Sequence, residues 1–193
     1  MKNKINILIL IIFFTFYVHK TSSEEFKLKS ENINVLNNGD LIEASGKVEI
    51  TTDNSLEIYS DKSELDKKNS TLKAEGNVNI IDRENKINIK SKFVFYDKQK
   101  NLVFTKGRTT IILKGIEIIS KDVYFEREKG DIYSDYKTTL DDQNKNKMEF
   151  DRFRFNLSSN LLKVYNLLAT DYDKNKFLLD EAAIDFNKEE IIG

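Results

Sequence analysis

The sequence predicts an all-β fold, a twisted antiparallel sheet built from one hairpin of about 30 residues written several times. Three observations predict it. From Glu24 onward apolar and polar residues alternate with period two, as in LEIYS (56–60), KINIKSKFVFY (86–96), IEIISKDVYF (116–125) and FDRFRFNL (150–157), the mark of half-buried strands. The stretch LIEASGKVEI (41–50) recurs as LKAEGNVNI (72–80), with the glycine and its flanking apolar residues in register. No segment holds an i, i+3, i+4, i+7 stripe for long. NLLKVYNLLATD (160–171) comes nearest to a helix, but it stands where the repeat expects a strand and is assigned as one.

The N-terminus is a separate element. MKNK carries two lysines, a run of 14 residues without a charge follows from Ile5 to Val18, apolar except for Asn6 and Thr15, and Thr21 and Ser23 supply small residues around a cut. That is the build of a secretory signal peptide. The run is short for a bilayer span, which needs about 20 residues. Residues 1–23 are therefore a signal peptide or an uncleaved anchor, and residues 24–193 a single exported domain. Cutting after Ser23 removes Lys2, Lys4 and Lys20 and no acid. It leaves 28 basic against 32 acidic residues, a net charge of −4, which is no footprint for nucleic acid.

The repeat itself can be laid out residue by residue. Leu56, Ile87, Ile116, Met148 and Phe177 each open a strand, at spacings of 31, 29, 32 and 29. Three of these strands run on to a serine: Ser60, Ser91 and Ser120. Charged turns follow (LDKKNS, YDKQKN, EREKG, LSSN), then a returning strand. Asn and Asp tolerate positive φ and bond their own backbone, so they close hairpins without proline, of which the chain has none. Gly46, Gly76 and Gly107 recur at 30 and 31 inside the strand pattern, not at its turns. Glycine weakens a strand, so its return at one place implies a bulge or bend. A bend at the same point of every strand folds the whole sheet over one line, giving a V-shaped sheet with an apolar interior. The final EEIIG (189–193) stops while the repeat is still running, which leaves an open edge strand or a longer chain.

Catalysis finds little support. There is no cysteine, and the one histidine is His19, inside the presumed signal region. The usual nucleophile–base arrangements are closed without them. Spacing alone leaves a paired-carboxylate mechanism open, but the carboxylates sit on turns and alternating faces, where solvated surface is the ordinary reading. DYDKNKFLLDEA (171–182) matches a calcium loop at Asp171, Asp173 and Asn175, then places Lys176 where glycine is required and Ala182 where glutamate is required. Nucleotide-binding glycine motifs are absent. No metal and no cofactor is expected. That leaves the apolar face: Ile42, Ala44, Val48 and Ile50 share one side of their strand, as do Leu72, Ala74, Val78 and Ile80, with Leu56, Ile58, Ile87, Ile89, Phe93, Phe95, Ile116 and Ile118 as inward partners. It is either an ordinary packed core or a trough that receives something apolar.

The recurring A-x-G-x-V-x-I of ASGKVEI and AEGNVNI, with a hairpin reading L-D or Y-D before the glycine, resembles the OstA-like repeat of lipopolysaccharide-transport proteins. The resemblance covers roughly residues 31–193. That family includes the periplasmic bridge protein LptA, the anchored LptC and the periplasmic N-terminal domain of LptD. The closing FLLDEAAIDFNKEEIIG is most similar to the LptD domain, but this chain lacks the cysteine pair that some LptD proteins carry. The resemblance implies a β-jelly-roll or taco-like fold in the Gram-negative periplasm, associated with the outer membrane. Its interior would hold lipid A acyl chains, and its edge strands would stack on other Lpt-type jelly rolls, an outer-membrane barrel among the partners. The residues this assigns to lipid are Ile42, Val48, Ile50, Ile58, Leu72, Val78, Ile80, Ile89, Phe93, Phe95 and Ile118. The rival is a structural or adhesive exported β-repeat protein without a lipid ligand.

Overall fold

The structure is a computed structural model that describes residues 26–52, 55–143 and 146–193. The proposed signal segment, with His19, Thr21 and Ser23, lies outside the described residues. The described chain forms strands in the order β1 (Lys27–Lys29), β2 (Asn32–Leu36), β3 (Leu41–Thr51), β4 (Leu56–Asp66), β5 (Thr71–Asp82), β6 (Ile87–Asp97), β7 (Leu102–Lys106), β8 (Arg108–Leu113) and β9 (Ile116–Lys121). It continues with β10 (Tyr124–Glu126), β11 (Asp131–Ser134), β12 (Thr138–Asp141), β13 (Lys147–Phe150), β14 (Arg152–Asn156), β15 (Leu161–Thr170), β16 (Lys176–Asp185) and β17 (Glu190–Ile192). All pairings are antiparallel and join one sheet. The segment 160–171, ambiguous by periodicity, is strand β15.

The long strands do not stay in one plane. β6 pairs with β8 through Ile87–Lys90 and with β7 through Phe93–Asp97. β15 likewise divides, pairing with β14 through its first half and with β13 through its last residues. Tracing these pairings separates two leaves. Leaf I carries Val48–Thr51, Leu56–Ser60, Val78–Asp82, Ile87–Lys90, β8, β9, β12, β13 and the ends 167–170 and 176–179. Leaf II carries β2, Leu41–Ser45, Lys62–Asp66, Thr71–Glu75, Phe93–Asp97, β7, β10, β11, β14, 161–165, 181–185 and β17. A single crease joins them.

The crease falls on the glycines that the repeat singles out. Register shifts occur between Ser45 and Val48, Tyr59 and Lys62, and Glu75 and Val78. Gly46 and Lys47 both take positive φ, as do Gly76 and Asn77, and the later crossings use Gly107, Asp122 and Asn166. Two left-handed residues facing fewer residues on the partner make a bulge that turns the strand out of its plane. The bulges remove ladder bonds, and buried hydroxyls take them up. Ser60 Oγ donates to Lys62 O at 2.9 Å, Thr109 Oγ1 donates to Thr105 Oγ1 at 2.7 Å, and Ser134 Oγ donates to Lys121 O at 2.6 Å. Ser120 and Thr138 pair through their hydroxyls at 2.7 Å. A line of Ser and Thr thus follows the inside of the fold, because a buried backbone group without a partner is costly.

The turns stack just as regularly. On the rim of leaf II, Lys67 N donates to Asp40 O, Lys98 N to Ser70 O, Arg127 N to Asn101 O, Leu157 N to Gly130 O and Phe186 N to Asn160 O. The turns at Asp66, Asp97, Asn156 and Asp185 begin on a carboxylate or amide that accepts from the turn's own backbone, as Asp66 does from Asn69 N at 2.9 Å and Asp97 from Lys100 N at 3.1 Å. Each ends on a residue of positive φ, among them Ser70, Asn101 and Asn160. The calcium-like loop at 171–175 is a turn of the same kind on the rim of leaf I, with Asp171 accepting from Asn175 N at 2.8 Å.

Gly76 has φ +73°, and a Cβ there would run into the Asp61 carboxylate. Gly76→Ala is therefore expected to cost about 1–3 kcal/mol, whereas Asn77→Gly, next door at φ +46°, is expected to be near neutral. Urea denaturation midpoints of the two variants check the pair; equal effects would mean that the crease is not conformationally restricted.

Candidate functional site

The inward residues of both leaves form one buried cluster. Val48, Ile50, Ile58, Leu72, Val78, Ile80, Ile89 and Ile118, eight of the eleven residues assigned to the interior, lie in it with at most 1% exposure. Ile42 packs against its margin, partly buried, because β3 stands next to the edge of leaf II. The interior is therefore a packed core between two leaves in this structure, the first of the two arrangements that the apolar face left open.

Phe93 and Phe95 require correction. Both are half-buried on the outside of leaf II, and Val94 and Tyr96 take the inward places with no exposure. The reason is the crease. On β3 and β5 the inward residues step by four across it, Ala44 to Val48 and Ala74 to Val78, which keeps the alternation in phase. On β4 the step is three, from Ser60 to Ser63, and Ser91 to Val94 on β6 repeats it. A slip of one residue sends every following side chain to the other face. Phe95 instead lies beside Phe104 in an outer row. That row continues as Phe104 against Tyr124 at 4.6 Å and Tyr124 stacked on Tyr133 at 5.3 Å. Phe177, which opens the last repeat, is 53% exposed at the leaf I edge.

Opposite the crease lies the mouth, where the two rims meet. Among the described residues no backbone hydrogen bond crosses it; side chains alone do. At the N-terminal end Phe26 sets its ring edge against Tyr96 at 6.3 Å, and Lys98 Nζ lies over the Phe26 ring at 4.9 Å. In the middle Arg127 Nε, from the β10–β11 turn of leaf II, donates to Asp82 Oδ2, at the end of β5 in leaf I, at 2.6 Å. The two side chains are 2% and 1% exposed. Arg127 Nη1 donates to Asn101 Oδ1 at 2.8 Å on its own rim, and Nη2 approaches Glu84 of leaf I at 3.9 Å. Further on, Lys114 Nζ donates to Asn160 Oδ1 at 3.1 Å. Beside that last contact a cavity of about 400 Å³ opens between the rims, floored by Ile116, Met148, Ile184 and Phe186.

Burial on its own pushes the Asp82 carboxyl up, but the hydrogen bonds from Arg127 and Asn85 outweigh it and hold the group below the usual carboxylate range. Asn85 gives both its backbone N–H and its side-chain amide to Asp82, each at 3.0 Å. The same residue therefore closes its own turn and bridges the mouth. Outer ion pairs such as Lys73–Glu64 are exposed and stabilise little. A groove of about 490 Å³ runs along β2–β5, lined by Ile33, Ala44 and Ser63 together with Glu43, Lys62 and Lys73, among others.

Among the described residues the two ends of the sheet have no further strand paired to them. β2 exposes Ile33 and Val35, and the other end exposes Phe177, Leu178, Ile191 and Ile192, with Leu178 78% exposed. Unpaired apolar edge strands invite another strand.

No protein-family model matches the chain, and no curated protein does. Among solved structures the chain is similar to LptH from Pseudomonas aeruginosa, described as the LptA homologous periplasmic component of the conserved lipopolysaccharide transport device. The identity is 8%, the match covers 81% of this chain and 94% of that one, and the TM-score is 0.30. A likeness at that level carries no functional conclusion, so the function rests on the chain's own geometry.

Asp82→Ala leaves Arg127 buried without its carboxylate and is expected to destabilise the fold by about 3–5 kcal/mol. The wild-type carboxyl titrates below its unfolded value near 3.9, so its contribution is complete at neutral pH and fades as pH falls below about 4. Denaturation followed from pH 7 to pH 2 should show a shallower acid decline in Asp82→Asn than in wild type; parallel curves would remove Asp82 from the acid limb.

Proposed function

We propose that the chain is an exported lipopolysaccharide-transport domain of the Gram-negative periplasm. It takes lipid acyl chains between its two leaves and pairs its edges with like domains on the way to an outer-membrane barrel. The observation that supports this reading is the division of its contacts. Among the described residues, backbone ladders and bulges hold the leaves along one crease, side chains alone hold them at the mouth, and the sheet ends in unpaired apolar strands at both edges. Such a fold can open like a clam without breaking its sheet.

The energetics suit carriage more than storage. One acyl chain of a dozen methylenes gains about 10 kcal/mol on leaving water. In a filled interior that gain is largely offset, because lipid contacts replace leaf-to-leaf contacts that were already apolar. Binding stays reversible, which a carrier needs. With no nucleotide motif in the sequence, directional energy comes from a partner.

The packed interior equally favours the second reading, a structural or adhesive repeat domain with no ligand. A photo-crosslinking residue at Val78 or Tyr96 separates the two. Carriage predicts lipopolysaccharide adducts there and none at Asn79 or Phe93 on the outside; an absence of adducts from the interior positions would leave the structural reading standing. For the edges, sedimentation should show self-association rising with concentration and weakened by Leu178→Lys. A chain that stays monomeric at high concentration removes end-to-end pairing.

A further inference from the structure

We infer that the outer side of the crease at Gly107 is a docking site for an acidic segment of a partner protein. It stands where the repeat breaks its own pattern. Fifteen residues before Gly46 lies Glu31, and fifteen before Gly76 lies Asp61. Each sets its carboxylate where a Cβ on its glycine would be. Each also meets the residue after the glycine, Glu31 pairing with Lys47 Nζ at 2.8 Å and Asp61 accepting from Asn77 Nδ2 at 2.9 Å. At a later crossing Asp151 accepts from Asn166 Nδ2 at 2.7 Å in the same way. At the third glycine the corresponding residue is Lys92, and Arg108 follows Gly107. Among the described residues beyond its chain neighbours, nothing stands within 4 Å of where a Cβ on Gly107 would be.

The place left open is a groove of about 580 Å³ across β5, β6 and the β7–β8 junction, with Lys90, Lys92, Lys106 and Arg108 on its walls and no carboxylate in its lining. All four cations are exposed. Among the described residues none of them has a carboxylate in ion-pair range, whereas Lys29, Lys47, Lys73 and Lys129 all do. Asp122, on the neighbouring crossing, accepts from Gly107 N at 2.6 Å and does not line the groove. Cations grouped without a counter-charge repel one another. A carboxylate brought by a partner relieves that repulsion and fills the place that Glu31 and Asp61 fill at the earlier crossings. Four cations spread over three strands suit a run of acidic side chains better than a single one. A membrane surface fits poorly, because stable surface binding takes apolar anchors as well as charge, and none of the exposed large apolar side chains lines this groove. The groove lies outside both leaves, so its occupancy is independent of anything carried between them.

The test uses the full chain with three probes: a fluorescent hexaglutamate peptide, vesicles of phosphatidylglycerol, and inorganic phosphate. The peptide is expected to bind, to weaken as salt rises, and to resist competition by inorganic phosphate. Lys92→Asp writes into the third crossing the acid that the second one carries. It should bind the peptide about tenfold more weakly and melt no lower than wild type. Lys92→Gln, which removes the charge without adding an acid, should weaken binding too, by less. Lys163→Asp makes the same change of net charge at an exposed position on β15 and should bind as wild type does. Equal losses in Lys92→Asp and Lys163→Asp would reduce the effect to net charge and overturn the site, as would unchanged binding in Lys92→Gln. A lower melting temperature in Lys92→Asp alone would mean that no acid fits there, and overturns the occupant. Binding to vesicles but not to the peptide makes the partner a membrane, and competition by phosphate makes it a small ion. Either result overturns the acidic segment, as does a wild type that binds no probe.

Discussion

Everything in this molecule depends on a strand turning a corner at the same line each time the chain crosses it. A β-strand resists sharp bending because its ladder bonds are lost at the bend. Here the cost is met locally, by residues at positive φ and by hydroxyls that accept or donate where the ladder lapses. Because each hairpin bends at the same place, neighbouring bends stack, and the sheet acquires one hinge line instead of scattered kinks. The two leaves, the filled interior and the mouth are consequences of that line.

The rims repeat the lesson at the other end of each strand. The bond from each turn to the previous one recurs roughly every 30 residues on leaf II, so consecutive hairpins are held in register at the crease and at the rim. With register fixed twice, a one-residue slip would have to break both, and the inner face stays apolar along the whole length. Periodicity thereby does for this fold what a disulfide framework does for a small exported domain, and the chain has no cysteine to do it otherwise.

Much of this could be read from the residues. The glycines at 46, 76 and 107 announced a bend, the serines at 60, 91 and 120 stood beside it, and the Asp-led turns explained how hairpins close without proline. What escaped was the phase of the strands that cross the crease without glycine. Phe93 and Phe95 look inward on alternation alone, yet the three-residue step from Ser91 to Val94 reverses them; the recurring serine marks where the step begins but not its length. The Arg127–Asp82 clasp escaped for a different reason, since its partners are 45 residues apart in sequence. A signal was present all the same. Asp82 continues the inward series Val78, Ile80, and Arg127 continues Val123, Phe125. Lys98, buried under Phe26, continues Val94, Tyr96. Charges written at inward positions at the very ends of strands mark where two rims meet.

Those terminal charges also decide how the fold can move. The crease and the rims are held by backbone hydrogen bonds, whose partners are fixed by the sheet itself and have no substitute inside an apolar interior. The mouth is held by side chains, whose partners can be exchanged for water or ligand without disturbing a strand. A force or ligand that separates the leaves therefore meets its weakest resistance at the mouth, along a line parallel to the crease. The filled interior opposes this motion little wherever another apolar surface takes the place of a leaf. The buried ion pair does oppose it, because a charge can be replaced only by a charge.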